Sequence, residues 1–182
     1  MATASSWSTL LQAKKKLLLW ETALFGVLGG LTFALQVAMS GLPNIEPVSL
    51  LVMVFAVVFG KKSLYSVYVY VILEILLFGF GIWNICYLYI WAILVFVAIA
   101  FRKQENPLVW AVISGAFGLL FGAFCAPVDI FIGGFGYAAG KWVSGIPFDL
   151  LHCAGNFVLA LVLFVPLRKL LEKLYSRMKS AR

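Results

Sequence analysis

The chain has 182 residues, of which 64% are hydrophobic, 16% aromatic and 12% charged, with a mean hydropathy of +1.05 and a formal net charge of +7. Soluble globular domains carry about 25% charged residues, so this composition excludes a water-soluble catalytic domain and makes a bilayer the expected solvent. The positive charge does not indicate nucleic acid, because Lys and Arg stand just beyond the ends of apolar runs, where they meet anionic headgroups and set topology.

Residues 1–17 hold Trp7, Leu10 and Leu11 among serines, followed by Lys14, Lys15 and Lys16. They read as an interfacial segment or as a disordered cytoplasmic tail. The apolar run from Leu17 to Met39 is longer than the h-region of a signal peptide and predicts an uncleaved first span. Further spans are predicted near 46–60, 63–80, 83–101, 108–127 and 142–166, the first lying near 18–39. The expected fold is therefore an all-α integral membrane bundle of six transmembrane helices over 18–166, forming a single domain with a basic cytoplasmic tail at 167–182. In this layout 13 of the 14 Lys and Arg fall on one side and Lys141 alone on the other, which predicts cytoplasmic N and C termini.

The second span has about 13 apolar residues after Pro47, roughly 20 Å at 1.5 Å per residue, short of the ~30 Å hydrocarbon core. A tilted helix, or one helped by an embedded loop, is expected. The loop before it, Gly41-Leu-Pro-Asn-Ile-Glu-Pro47, has two prolines and a carboxylate, and predicts an ordered turn at the outer surface. The later outer segment, Pro127 to Lys141, contains Gly133, Gly134, Gly136 and Gly140 and reads as a flexible lid. It is not a phosphate cradle, for no strand precedes it and the GxxxxGK[ST] spacing is missing.

Two helices carry small residues at every fourth position. Gly26, Gly30, Ala34 and Ala38 line one face of the first, and Ser114, Gly118, Gly122 and Ala126 one face of the fifth. Such a face lets another helix approach closely, either within the bundle or on a partner protein.

In the sixth helix, Asp149, His152 and Asn156 are spaced i, i+3 and i+7 and share one face. Ionisable groups within a membrane are costly unless they face a cavity or a partner. Glu74 reaches a similar depth from the third helix, so the cluster reads as a polar pocket opening outward or as a buried hydrogen-bond cluster fixing register. Trp83, Asn84, Tyr87, Tyr89 and Trp91 stand at the outer start of the fourth helix, as an interfacial aromatic belt would, with Trp83, Asn84 and Tyr87 candidates for ligand contact. Asn44, in the first outer loop, completes the candidate set.

Other chemistries fit less well. Cys86, Cys125 and Cys153 are odd in number and lack CxxC spacing, which suggests neither a disulfide frame nor a metal site. A hydrolase built on His152 with Ser144 or Ser114 has no GxSxG elbow, and one His with scattered carboxylates is a poor zinc set. No catalytic residue is assigned.

With these residues in view, the chain resembles the substrate-binding S component of an energy-coupling factor (ECF) vitamin transporter. The resemblance covers nearly the whole length. It rests on six predicted helices with both ends inside, Ala34-xxx-Ala38 in the first helix and Pro-Asn-Ile-Glu in the first outer loop. It rests also on Phe59-Gly60-Lys61-Lys62, and on Gly145-Ile-Pro-Phe-Asp149 followed by His152 and Gly155-Asn156. It implies a multi-pass protein of the bacterial cell membrane that captures a vitamin from outside in a pocket made by outer loops and the outer halves of helices four to six. It further implies that the small-residue face of helix one docks on a membrane coupling subunit, joined to two cytosolic ATPase subunits. ATP and Mg would be used by those partners, with no cofactor in this chain. The first outer loop and the tail of helix six are most similar to members assigned to cobalamin; pyridoxine, folate, pantothenate or a queuosine precursor would fit the same scaffold. A self-contained facilitator or channel and an intramembrane enzyme or scaffold are the competing classes. The apolar inner half argues for a blind pocket over a channel.

Overall fold

The computed structural model describes the backbone of residues 4–42 and 45–180 and the side chains of 19–42 and 45–180. Among these the chain is helical, with no strand. The elements are α1 (Ala4–Ala38), α2 (Val48–Phe59), a 3-10 turn (Gly60–Lys62), α3 (Ser63–Phe78), α4 (Ile82–Ala100), α5 (Pro107–Leu119) and α6 (Phe121–Ser180). Four helical stretches, Leu19–Ala38, Val48–Phe78, Ile82–Ala100 and Pro107–Ser180, are long and apolar enough to cross a membrane.

Side-chain contacts give the direction of each helix. Glu46, just before α2, lies close enough to Glu74, late in α3, to interact with it electrostatically, so the chain doubles back around Gly60–Lys62. Tyr70 of α3 meets both Tyr87 and Trp91 of α4, and Trp91 meets Phe117 of α5; the short connections 79–81 and 101–106 between these packed helices make each successive pair antiparallel. Midway along α1, where its apolar stretch begins at Leu19, Trp20 stacks on Tyr175 late in α6, their ring centroids 5.9 Å apart. Both chain ends therefore emerge at one end of the bundle, called here the tail end; the loop 39–47 lies at the other, the loop end.

α2 is the central element. Every residue from Val48 to Ala56 is buried, and a helix that is apolar all round is one enclosed by its neighbours. Enclosure also accounts for its length, because a helix walled by other helices need not match the bilayer by itself. It starts at Val48, after Pro47, which leaves Glu46 in the loop rather than in the helix. α5 begins where Asn106 Oδ1 accepts a hydrogen bond from the Leu108 N–H at 2.9 Å, with Pro107 in the first turn.

The segment 127–141 is not a flexible lid. α6 runs helically through 121–133, reverses at Gly134 and returns as a second limb over 135–180. Gly134 has φ 78 and ψ 178, a backbone conformation essentially confined to glycine. The two limbs are tied by an ion pair between Lys141 Nζ and Asp129 Oδ1.

At the tail end, α1 is helical from Ala4, and α6 continues through 167–180. Tyr175 packs edge-on against Phe59 at 4.9 Å as well as stacking on Trp20, so this extension is held to the bundle.

Candidate functional site

At the loop end, a cavity of about 280 Å³ lies beneath the first loop. α1 contributes Gln36 to its wall, and the chain after it contributes Met39, Ser40, Leu42, Ile45 and Glu46. Tyr87 of α4, Phe121, and Asp149 and His152 of the second limb of α6 complete it. The site thus forms where the loop between α1 and α2 folds over the α6 face that bears the ionisable groups. Ile45 seats this loop: a Cβ placed on Gly155 would lie 3.2 Å from its Cγ1, so a small residue in α6 makes room for it.

Buried polar atoms converge here. Asp149 is 7% exposed and His152 4%. Asp149 Oδ1 accepts a hydrogen bond from the Gly122 N–H at 3.3 Å, whereas Oδ2 has no hydrogen-bond partner among the described residues, and neither has His152 Nε2. Glu46 Oε1 lies 3.7 Å from that Nε2, beyond hydrogen-bond length. Burial, with the charge of Glu74 as a lesser cause, pushes the Glu46 carboxyl up to about 7. Buried polar groups are ordinarily hydrogen-bonded, and unpaired ones beside a cavity can be satisfied by a ligand or by water held there.

The side of the cavity facing the tail end is closed by aromatic rings. Tyr87 and Phe121, both in the wall, pack on Trp91 at 5.5 and 5.8 Å, and Trp91 is fully buried. Phe121 also lies 5.0 Å from the His152 ring, fixing its orientation.

The sequence candidates separate. Asp149, His152 and Tyr87 line the cavity. Glu74 is buried close to Glu46 but is not in the lining, and its Oε1 is unpartnered. Asn156 does not reach the cavity: its Nδ2 donates to Ser49 Oγ at 3.0 Å and to the Ser114 carbonyl at 3.3 Å, tying α6 to α2 and α5. Asn84 serves the start of α4, its Oδ1 accepting from the Gly81 N–H at 2.6 Å. Trp83 is half exposed and lines a different cavity. Asn44 lies outside the described residues.

Gln36, Glu46 and Phe121 belong to the site and were not among the candidates. An amide in the mostly apolar run from Leu24 to Ala38 and a carboxylate between two prolines are signals in the sequence; for Phe121 there is none.

Another cavity is larger, about 540 Å³, and lies between the start of α4 and the two limbs of α6. Trp83, Trp142 and Phe148 give it apolar walls, and its charged pair, Asp129 and Lys141, is mutually satisfied. None of its lining residues has a buried polar atom lacking a partner, so the smaller cavity is the better candidate. Among the described residues, no group of three or more His, Cys, Asp or Glu could hold a metal ion.

The two small-residue ladders have different environments. In the second, a Cβ on Gly118 would lie 2.8 Å from the His152 backbone and one on Gly122 would lie 2.6 Å from Asp149 Oδ2, so this face carries the packing of α5 and early α6 against the second limb. In the first, Cβ atoms on Gly26 and Gly30 would meet nothing within 4 Å, and Ala34 and Ala38 are exposed. The tight contact of α1 with α3 is made instead by Gly29, whose Cβ would come 2.6 Å from the Ser66 carbonyl.

Compared with protein-family models, curated proteins and solved structures, the chain has no match.

Proposed function

We propose that this protein is a membrane-embedded substrate-binding subunit of the ECF S-component type, which captures a small molecule in the pocket beneath the first loop. The observation that carries the reading is the pair of buried polar atoms without partners among the described residues, Asp149 Oδ2 and His152 Nε2, beside a cavity closed toward the tail end. In this reading the four apolar stretches comprise six passes, because the chain reverses at Gly60–Lys62 and at Gly134, and the basic tail end faces the cytoplasm. The pocket then opens to the outside.

The open ladder of α1 supports the second half of the reading. Gly26, Gly30, Ala34 and Ala38 form a smooth, unoccupied strip suited to close helix contact, and a membrane coupling subunit is the proposed partner. Energy would come from ATP and Mg at two cytosolic ATPases bound to that subunit.

The test is to purify the full chain from cells and identify co-purifying small molecules by mass spectrometry. One molecule per chain is expected, with occupancy falling at least several-fold in Asp149→Ala. Equal occupancy in the variant would move the site elsewhere.

A further inference from the structure

The chemistry of the pocket narrows its ligand. Its ionisable lining groups among the described residues are Glu46, Tyr87, Asp149 and His152, with the carboxyl of Glu74 just behind, and no Lys or Arg is among the described lining residues. Lys141, which lies in the same outer part of α6, is already paired with Asp129. An anion entering the pocket would meet up to three carboxylates and no cation. An ionised Asp149 can only accept at Oδ2, its other oxygen already accepting from the Gly122 N–H. His152 Nε2, which faces Glu46, accepts whenever the imidazole is neutral with its proton on Nδ1.

Size narrows the ligand as well. A cavity of about 280 Å³ is at the lower bound of small-molecule sites, which run from ~300 to ~1,000 Å³. It accommodates one ring system with its substituents rather than a corrinoid macrocycle. Tyr87 and Phe121 make part of that wall aromatic.

Resting on the substrate-binding reading, we infer that the ligand is a small organic cation, a protonated amine or a nitrogen heterocycle rich in N–H donors, whose positive end sits between Asp149, His152 and Glu46. Its donors satisfy the acceptor atoms that the protein leaves free. Its charge takes the place of the missing lysine or arginine.

The experiment measures binding to the purified full chain in detergent, by ligand-induced thermal shift and then isothermal titration. The probes are pyridoxamine and thiamine as cations, pyridoxine and cobalamin as molecules without a fixed positive charge at the ring substituent, pantothenate as an anion, and a set of water-soluble metabolites sorted by charge. The tightest binder is expected to be a cation. Asp149→Asn should weaken it at least about tenfold, the smaller loss expected for a charge-assisted hydrogen bond. Glu46→Gln, in the loop and so less demanding on folding, should weaken it in the same direction. A tightest binder that is anionic or uncharged, and that is weakened by His152→Ala, would overturn the charge inference while leaving the pocket in place. No binding by any probe would overturn the pocket reading itself, and this inference with it.

Discussion

Glu46 Oε1 lies 3.7 Å from His152 Nε2, which brings a carboxylate from the first loop against the face of α6 that carries Asp149. The loop is thus a wall of the site rather than a surface connection. Its carboxyl gives up solvent to take that position, and this has a consequence for stability.

The Glu46 carboxyl rises to about 7 from an ordinary value of 4.5. A folded state that holds the proton more tightly than the unfolded state is most stable below about pH 4.5, loses stability as pH climbs toward 7, and levels off above that. The span amounts to about 3 kcal/mol. The groups facing Glu46 are Glu74 and Tyr70 from α3, Tyr87 from α4, and His152 and Asp149 from α6. Thermal unfolding of the ligand-free protein in detergent at pH 5 and pH 8 should show a lower melting temperature at pH 8, with the difference reduced in Glu46→Gln.

Asn156 is buried and joins three helices through Ser49 and the Ser114 carbonyl. Asn156→Ala leaves both without that donor in a dry interior, a loss of about 1–3 kcal/mol. The variant should melt lower than wild type and, at a temperature where both are folded, bind ligand with affinity changed far less than in Asp149→Ala. An affinity loss as large as that of Asp149→Ala would place the amide in the site.

The packed and the exposed faces of α1 make a paired test. Gly29→Leu forces a side chain into the Ser66 carbonyl and should cost about 1–3 kcal/mol of stability by overpacking. Ala34→Trp and Ala38→Trp project from the exposed face and should leave melting and ligand binding unchanged while abolishing ATP-driven uptake in cells. Uptake that survives both tryptophans would mean that this face docks nothing.

Gly134 turns the two limbs of α6 in a conformation that other residues adopt at a cost of about 1–3 kcal/mol. Gly134→Val should lower the melting temperature, whereas Gly136→Ala, at a helical glycine with nothing within 4 Å of its Cβ, should hold or raise it.

Helical character and the Asp149–His152 face were legible in the sequence because they follow from local rules, namely apolar run length and 3.6-residue periodicity. The hairpin at 127–141 is not legible in composition. Four glycines resemble a loop by composition, yet only Gly134 needs a glycine-only backbone, while the rest stay helical. Asn84 and Asn156 were placed in the pocket because spacing shows which face a side chain shares but not what is opposite. One amide faces a helix start, and the other two serines on neighbouring helices. Glu46 was hidden for the same reason, since the inward fold of a loop depends on tertiary contacts such as Ile45 against Gly155.

The central claim is a blind, outward-facing pocket that binds but does not transport unaided. It is tested most directly in proteoliposomes containing this chain alone, with the co-purifying molecule supplied in radiolabelled form. Saturable binding at one molecule per chain, with no label accumulating in the lumen, is the expected result. Time-dependent filling of the lumen, or chemical conversion of the label, would contradict it.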